Sequence, residues 1–157
     1  KSLTEGKDLA GKELKGAPVF YVGAAADPGA KDLDVEMQKF NAKIAAGAEF
    51  FQTQAVFDAE GFGRFMQKAK PFNKPVLAGI LLVKSAKMAR YMNEHVWGIH
   101  VPDALIARFE STKDAKAECV AVTAELIRAV QKTADGIHLY SLGWEELVPE
   151  ILAKAGI

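Results

Sequence analysis

The sequence is poor in several features that would point to a particular class of protein. Its 157 residues contain one cysteine, Cys119, so no disulfide can form within the chain, and we expect the reducing cytoplasm as its location. Twenty basic residues balance twenty acidic ones, so no net charge attracts nucleic acid or an anionic surface. No apolar run approaches the roughly 20 residues that a membrane-spanning helix needs. We therefore expect neither nucleic acid nor a membrane as a partner.

Motifs for common cofactors and nucleophiles are also missing. The sequence has no GxGxxG, no GxxxxGK[ST] and no GxSxG. It has no CxxC, and His95 and His100 are five positions apart, which is poor spacing for two metal ligands on one helix. We expect neither a metal site nor a serine or cysteine nucleophile built from this chain alone.

What the sequence does contain is a strand pattern followed by a helical pattern, repeated four times after a lead-in loop at residues 1–16. Strands are predicted at 17–25, 50–58, 75–83 and 136–142. Helices are predicted at 32–46, 59–68, 85–94, 104–109, 113–133 and 145–153, with an irregular stretch at 95–100. The first strand is continuously apolar, which predicts burial on both faces.

Successive strand and helix units imply parallel strands joined by right-handed crossovers, so the predicted fold class is α/β. Two arrangements remain open. One is an open doubly wound sheet. The other is part of a closed (β/α)8 barrel, of which this chain supplies about half, because a complete barrel takes about 250 residues.

The second predicted strand carries two glutamines. Alternation divides its residues between two faces, one with Phe51, Thr53 and Ala55 and the other with Phe50, Gln52, Gln54 and Val56. A buried amide without a partner costs on the order of 1–3 kcal/mol, so both glutamines need polar partners. We expect Gln52 to bond to neighbouring protein groups, and Gln54, nearer the C-terminal end of the strand, to contact a ligand.

Two further sets of side chains share a face. Glu36, Lys39 and Lys43 lie on one side of the helix before the glutamine strand, where a solvated, salt-bridged surface would explain their spacing. On the last predicted strand, alternation places three residues together, namely His138, Tyr140 and Leu142.

Four segments, in order, resemble the methylenetetrahydrofolate reductase family. The run AAGAEFFQTQAVFD from Ala45 is similar to the family's GA-[DE]-F…TQ…FD strand. VLAGIL from Val76, VPDALI from Val101 and GIHLYSL from Gly136 resemble the family's I-x-P-G-I-[ML], VP and G-[IV]-H-F-Y-[ST]-L segments. The resemblance extends from about Gly6 to the end. It implies strands five to eight of a (β/α)8 barrel, with residues 1–157 forming a single unit.

The resemblance implies a flavin-dependent enzyme that reduces 5,10-methylenetetrahydrofolate to 5-methyltetrahydrofolate. FAD or FMN would be the cofactor, and NAD(P)H or another donor would supply electrons. The implied contacts to the folate substrate are Gln54, Tyr140 and Leu142. The implied contacts to the flavin are Glu36, Lys39 and Lys43.

The chain also departs from the family pattern. Ala42 and Trp144 stand where the family has arginines, and Ala86 stands near the place of an aromatic residue. The family's catalytic acid belongs to the first barrel strand, so no catalytic residue is assigned within this chain. These departures leave the flavin form and the electron donor open.

A half-barrel has two open sheet edges, which favour association. We expect the chain either to fold with an N-terminal half or to form a homo-oligomer, and to be inactive alone. The alternative function is a non-catalytic half-barrel for binding or assembly, which the substitutions at Ala42, Ala86 and Trp144 favour. A third interpretation is an unrelated open α/β domain that binds a small molecule.

Overall fold

The structure is a computed structural model that describes residues 2–96 and 98–157. Its strands are β1 (Gly23–Ala26), β2 (Phe50–Ala55), β3 (Val76–Leu81) and β4 (Gly136–Tyr140). Its α-helices are α1 (Leu33–Ala45), α2 (Ala59–Ala69), α3 (Ala86–His95), α4 (Asp103–Ser111), α5 (Ala115–Val130) and α6 (Val148–Ala155). Short 3-10 turns cover Ser2–Glu5, Lys70–Phe72 and Glu145–Leu147.

The four strands form one parallel sheet in the order β1-β2-β3-β4. This confirms the α/β class. The spatial order follows the chain order without a reversal, as in part of a (β/α)8 barrel, whereas a doubly wound sheet reverses direction at a switch point. The predicted half-barrel is therefore the arrangement observed, and both outer edges of the sheet lack a strand partner among the described residues.

Local sequence signals explain where the helices begin and end. The carboxylate of Asp32 accepts hydrogen bonds from the backbone N–H groups of Asp34 and Val35 and so caps α1. Asp58 caps α2 with one such bond, accepted from the backbone N–H of Glu60. Gly47 follows α1 with φ at +108°, a conformation that glycine adopts without strain, and the chain turns there into β2.

The core lies between the helices and one face of the sheet. Phe51 of β2 stacks on Phe40 of α1 with ring centroids 3.6 Å apart, and Phe65 of α2 meets the Phe40 ring edge-on at 6.2 Å. All three side chains are fully buried. Burial of each contributes about 1.5–3 kcal/mol, so this cluster fixes α1 and α2 on the sheet.

The prediction that 17–25 is a strand buried on both faces was wrong for most of its length. The strand begins only at Gly23, and the preceding residues are exposed, with Val19 at 96%. β1 has a neighbouring strand on one side only, and that neighbour is β2. An apolar run predicts burial only where other elements pack on both sides, and here they do not.

The end of the chain also differs from its prediction. β4 ends at Tyr140, and Leu142 beyond it has φ at +53°. The segment predicted as one helix from 145 is a 3-10 turn followed by α6. None of the helices in the described ranges has the length and apolar character to cross a membrane. The predicted lead-in and irregular stretches include Lys1 and Trp97, which lie outside the described residues.

Candidate functional site

Gln54 and Tyr140 lie together on the face of the sheet opposite the phenylalanine core. They line one depression of about 370 Å³, which is also lined by Gly23, Ala24, Ala25, Phe50, Gln52 and Thr53. Both side chains are half-buried. The structure therefore brings together two residues that the sequence placed on separate strands. The depression extends along β2 from its first residue, Phe50, to Gln54. Gln54 and Tyr140 lie toward the C-terminal ends of their strands, where barrel active sites are found.

Gln52 has a polar partner on β4. Its Nε2 atom lies 3.4 Å from Nδ1 of His138, and the His138 ring meets the Tyr140 ring edge-on with centroids 4.5 Å apart. This confirms that Gln52 bonds to a neighbouring protein group. Gln52, His138 and Tyr140 form a connected polar set on this face, although the sequence assigned a site role only to Tyr140.

Leu142 does not join the other two predicted substrate residues. It follows the end of β4 in a left-handed conformation, is 49% exposed, and is not among the residues that line the depression. Its carbonyl accepts a hydrogen bond from the Lys84 ammonium group. The prediction that Leu142 shares a face with Tyr140 was wrong, because the strand ends before alternation reaches it.

Positive charge is present near Trp144, where the family pattern has an arginine. The Nζ atoms of Lys84 and Lys116 lie 5.0 and 5.6 Å from the centre of the Trp144 ring. An ammonium group within about 6 Å of an aromatic ring is attracted by its quadrupole. Two lysines from other segments thus place positive charge around Trp144, although the sequence alone showed only that the arginine of the family pattern is missing there.

Two charged side chains of α1 form hydrogen bonds with the backbone at the end of β1. Glu36 is only 4% exposed and accepts a hydrogen bond from the backbone N–H of Asp27 at 3.0 Å. The Lys43 ammonium donates to the carbonyl of Ala25 at 2.6 Å, and Lys39 lies 3.7 Å from the Glu36 carboxylate. The three predicted cofactor residues are therefore together, and a solvated surface does not describe Glu36.

A groove of about 390 Å³ runs beside this face. Among the residues that line it are Asp27, Gly29, Lys31, Asp32, Glu36 and Lys39. Glu36 and Lys43 are bonded to the backbone near β1, whereas the side chain of Lys39 is 59% exposed. The groove is thus lined by the acidic residues Asp27, Asp32 and Glu36 and by two lysines, of which Lys39 has an ammonium group accessible as a hydrogen-bond donor.

Asp27 directly follows β1, in a segment to which the sequence alone assigned no functional role. It also lines a neighbouring cavity of about 420 Å³, whose other lining residues include Asp58 and His100. Burial raises the pKa of its carboxyl group. The hydrogen bond from Gly29 N–H opposes that rise, and the nearby Glu36 charge adds to it. The sequence signal that could have identified Asp27 as a candidate site residue is its position as an acidic residue shortly after a predicted strand. His100 could not be placed beside it from sequence, because the two belong to different units.

The part of the chain that the structure describes contains no group of three or more His, Cys, Asp or Glu side chains that could hold a metal ion. Cys119 is buried on α5, and burial raises the pKa of its thiol.

Comparison with known proteins agrees with this arrangement. The family model described as methylenetetrahydrofolate reductase matches residues 13–156. A probable methylenetetrahydrofolate reductase (NADPH) from Caenorhabditis elegans is 26% identical over 155 residues, covering 88% of this chain and 22% of that protein. Methylenetetrahydrofolate reductase 2 from Saccharomyces cerevisiae is 25% identical, covering 88% of this chain and 25% of the relative. The chain therefore spans about a quarter of the length of these relatives.

Proposed function

The chain belongs to the methylenetetrahydrofolate reductase family, and on this premise we propose that it contributes part of the flavin and folate sites of an oxidoreductase. The reaction is the reduction of 5,10-methylenetetrahydrofolate to 5-methyltetrahydrofolate. Family membership also removes the interpretation as an unrelated open α/β domain.

The observation that carries this proposal is the meeting of Gln54 and Tyr140 in one depression. The family pattern assigns both positions to the substrate, although they lie 86 residues apart in the chain. The carboxamide of Gln54 offers a donor and an acceptor side by side, and the fused ring of a folate presents both kinds of group along its edge. In this proposal Gln54 orients the folate ring, and Tyr140 bounds the same depression. Leu142 stays a weaker candidate, since it lies outside the depression.

The flavin, as FAD or FMN, would supply the hydride chemistry when bound, and the residues of this chain would hold and orient it. Lys39 is the residue proposed to contact a phosphate. Glu36 and Lys43 would act on the flavin indirectly. Their hydrogen bonds to the backbone of Asp27 and Ala25 fix the end of β1 beside the groove. NAD(P)H is the proposed electron donor.

The remaining strands of the barrel have to come from another segment. Both outer edges of the described sheet are open, and an unpaired parallel edge favours pairing with another strand. We propose that an N-terminal half or a second copy completes the barrel. Of the two, the N-terminal half would supply the catalytic acid, because the family pattern places that acid on the first barrel strand. The proposed partners are therefore the folate substrate and this completing segment, in the cytoplasm, with no nucleic acid or membrane.

Anaerobic flavin reoxidation tests the proposed reaction. Holoenzyme that contains this chain is reduced with dithionite and mixed with 5,10-methylenetetrahydrofolate. The flavin absorbance should return and an equivalent amount of 5-methyltetrahydrofolate should form. A small quinone serves as the control, because it reoxidises any accessible reduced flavin. Reoxidation by the quinone but not by the folate would contradict the proposal and favour a non-catalytic half-barrel, the function that the changes at Ala42, Ala86 and Trp144 favour.

A further inference from the structure

The strand that carries Gln54 contains a bulge that its sequence does not reveal. Gln52 pairs with Leu77 of β3, but the next pair joins Ala55 to Gly79. Between these two pairs β2 has two residues, Thr53 and Gln54, whereas β3 has only one, so β2 carries one extra residue there. Burial follows the same shift, since the buried residues after Phe51 are Thr53 and then Val56. Bulges of this kind re-aim a side chain and are common next to active sites.

The Thr53 side chain occupies the centre of the bulge. Its Oγ1 atom accepts a hydrogen bond from the backbone N–H of Gly79 at 2.9 Å and donates one to the carbonyl of Gln54 at 2.8 Å. The ladder resumes where Val56 N–H donates to the carbonyl of Gly79. One hydroxyl group thus replaces the missing ladder contact and holds the carbonyl of the residue whose amide faces the depression.

We infer that Thr53 is a positioning residue for folate binding, because its hydroxyl sets the direction of the Gln54 side chain through the bulged backbone. Thr53 is 1% exposed, so its side chain acts on a ligand through Gln54 and not by contact. The inference rests on the proposed function, since it requires Gln54 to bind the folate.

Three variants separate this role from a general loss of stability. Thr53→Val removes the hydroxyl and keeps the shape, whereas Thr53→Ser keeps the hydroxyl. Thr123→Val is the matched control, because Thr123 is 3% exposed, lies on α5 and not on the sheet, and has its hydroxyl 3.8 Å from the Cys119 sulfur. Thr53→Ala is the second hydroxyl-free variant if Thr53→Val does not fold.

The first measurement is a double-mutant cycle with Gln54→Ala, in which binding is measured by titration of the full-length protein with 5-methyltetrahydrofolate. The second is NMR of the Gln54 side-chain amide in the same protein. Thr53→Val should weaken binding about tenfold, Thr53→Ser and Thr123→Val less than about twofold, and Thr53→Val should add nothing in the Gln54→Ala background. The Gln54 amide signals should move in Thr53→Val and not in Thr123→Val.

Two results would overturn the inference in different ways. If Gln54→Ala weakens binding but Thr53→Val does not, or if the two losses add, Thr53 does not act through Gln54 and only this inference fails. If Gln54→Ala binds the folate as tightly as the wild type, the proposed folate contact fails and this inference fails with it.

Discussion

Tyr140 on β4 and Thr53 on β2 are hydrogen-bonded to each other across the strand that separates them. The Tyr140 hydroxyl donates to the Thr53 carbonyl at 3.2 Å, and β3 passes between the two residues. The bond is possible because the residue of β3 that lies between Thr53 and Tyr140 is Gly79, which has no side chain to block it. A Cβ atom there would lie 2.4 Å from the Thr53 carbonyl oxygen and 3.0 Å from the Tyr140 ring. The three strands are thus joined at the depression that holds Gln54.

Gly79→Ala should destabilise the protein. The added methyl group would contact the backbone oxygens of Thr53 and Gln54, which cannot move without disturbing the bulge, and overpacking of this kind costs about 1–3 kcal/mol. Gly63→Ala on α2 is the control, because a Cβ atom there meets nothing within 4 Å. That change should stabilise the helix by about 0.5–1 kcal/mol. Urea unfolding measures both, and equal stability of Gly79→Ala and the wild type would contradict the packing described.

Lys39→Gln should weaken flavin binding about tenfold, a loss of about 1.4 kcal/mol, since it removes a charged donor from the groove. The folded protein should lose little stability, because Lys39 is 59% exposed and the buried Glu36 carboxylate keeps its hydrogen bond from the Asp27 N–H. Flavin retention is measured by absorbance after dialysis. Lys132→Gln is the control, because Lys132 lies beside the N-terminal end of β3. Equal retention in the two variants would rule out the proposed phosphate contact.

Asp27→Asn should change how stability depends on pH. Burial raises the pKa of Asp27 above its ordinary value of 3.8, so the ionised carboxylate is the less favourable form in the folded state. The contribution of this group to the free energy of unfolding is therefore fully present below the ordinary pKa of 3.8, and it is lost as the pH rises through the raised pKa of the folded state. Asparagine cannot ionise, and its side-chain oxygen can still accept from Gly29.

Urea unfolding between about pH 3 and pH 7 measures this effect. The variant should gain stability relative to the wild type as the pH rises. Asp103→Asn is the control. Asp103 is exposed in the first turn of α4, where a negative charge is favourable, so its removal should give no such gain. A difference between Asp27→Asn and the wild type that stays constant with pH would contradict the assignment.

The elements that the sequence predicted well are those with local signals. Asp32 and Asp58 cap α1 and α2 close to their predicted starts, Gly47 follows the end of α1, and the strand predicted from Pro75 is largely buried as β3. Each of these depends on a few neighbouring residues. The same local pattern failed at residues 17–22, because burial there requires neighbours that the apolar residues themselves do not specify.

The candidate site was only partly predictable for a similar reason. Alternation placed Gln52 and Gln54 on one face, and the resemblance connected Gln54 with Tyr140. The bulge at Thr53 is stabilised by groups on β3 and β4, so nothing in the β2 sequence indicates it. Val56 was predicted on the glutamine face and is buried at 3% in the core instead, because the bulge shifts the alternation by one residue.

Titration of holoenzyme that contains this chain with 5-methyltetrahydrofolate tests the central claim most directly, with wild type, Gln54→Ala and Gln67→Ala compared by calorimetry. Gln67 is an exposed glutamine on α2 and serves as the matched control. The account predicts that Gln54→Ala weakens binding at least about tenfold, through loss of hydrogen bonds in a half-buried site, whereas Gln67→Ala stays within about twofold of the wild type. Equal affinity of Gln54→Ala and the wild type, or no binding by the wild type, would contradict it.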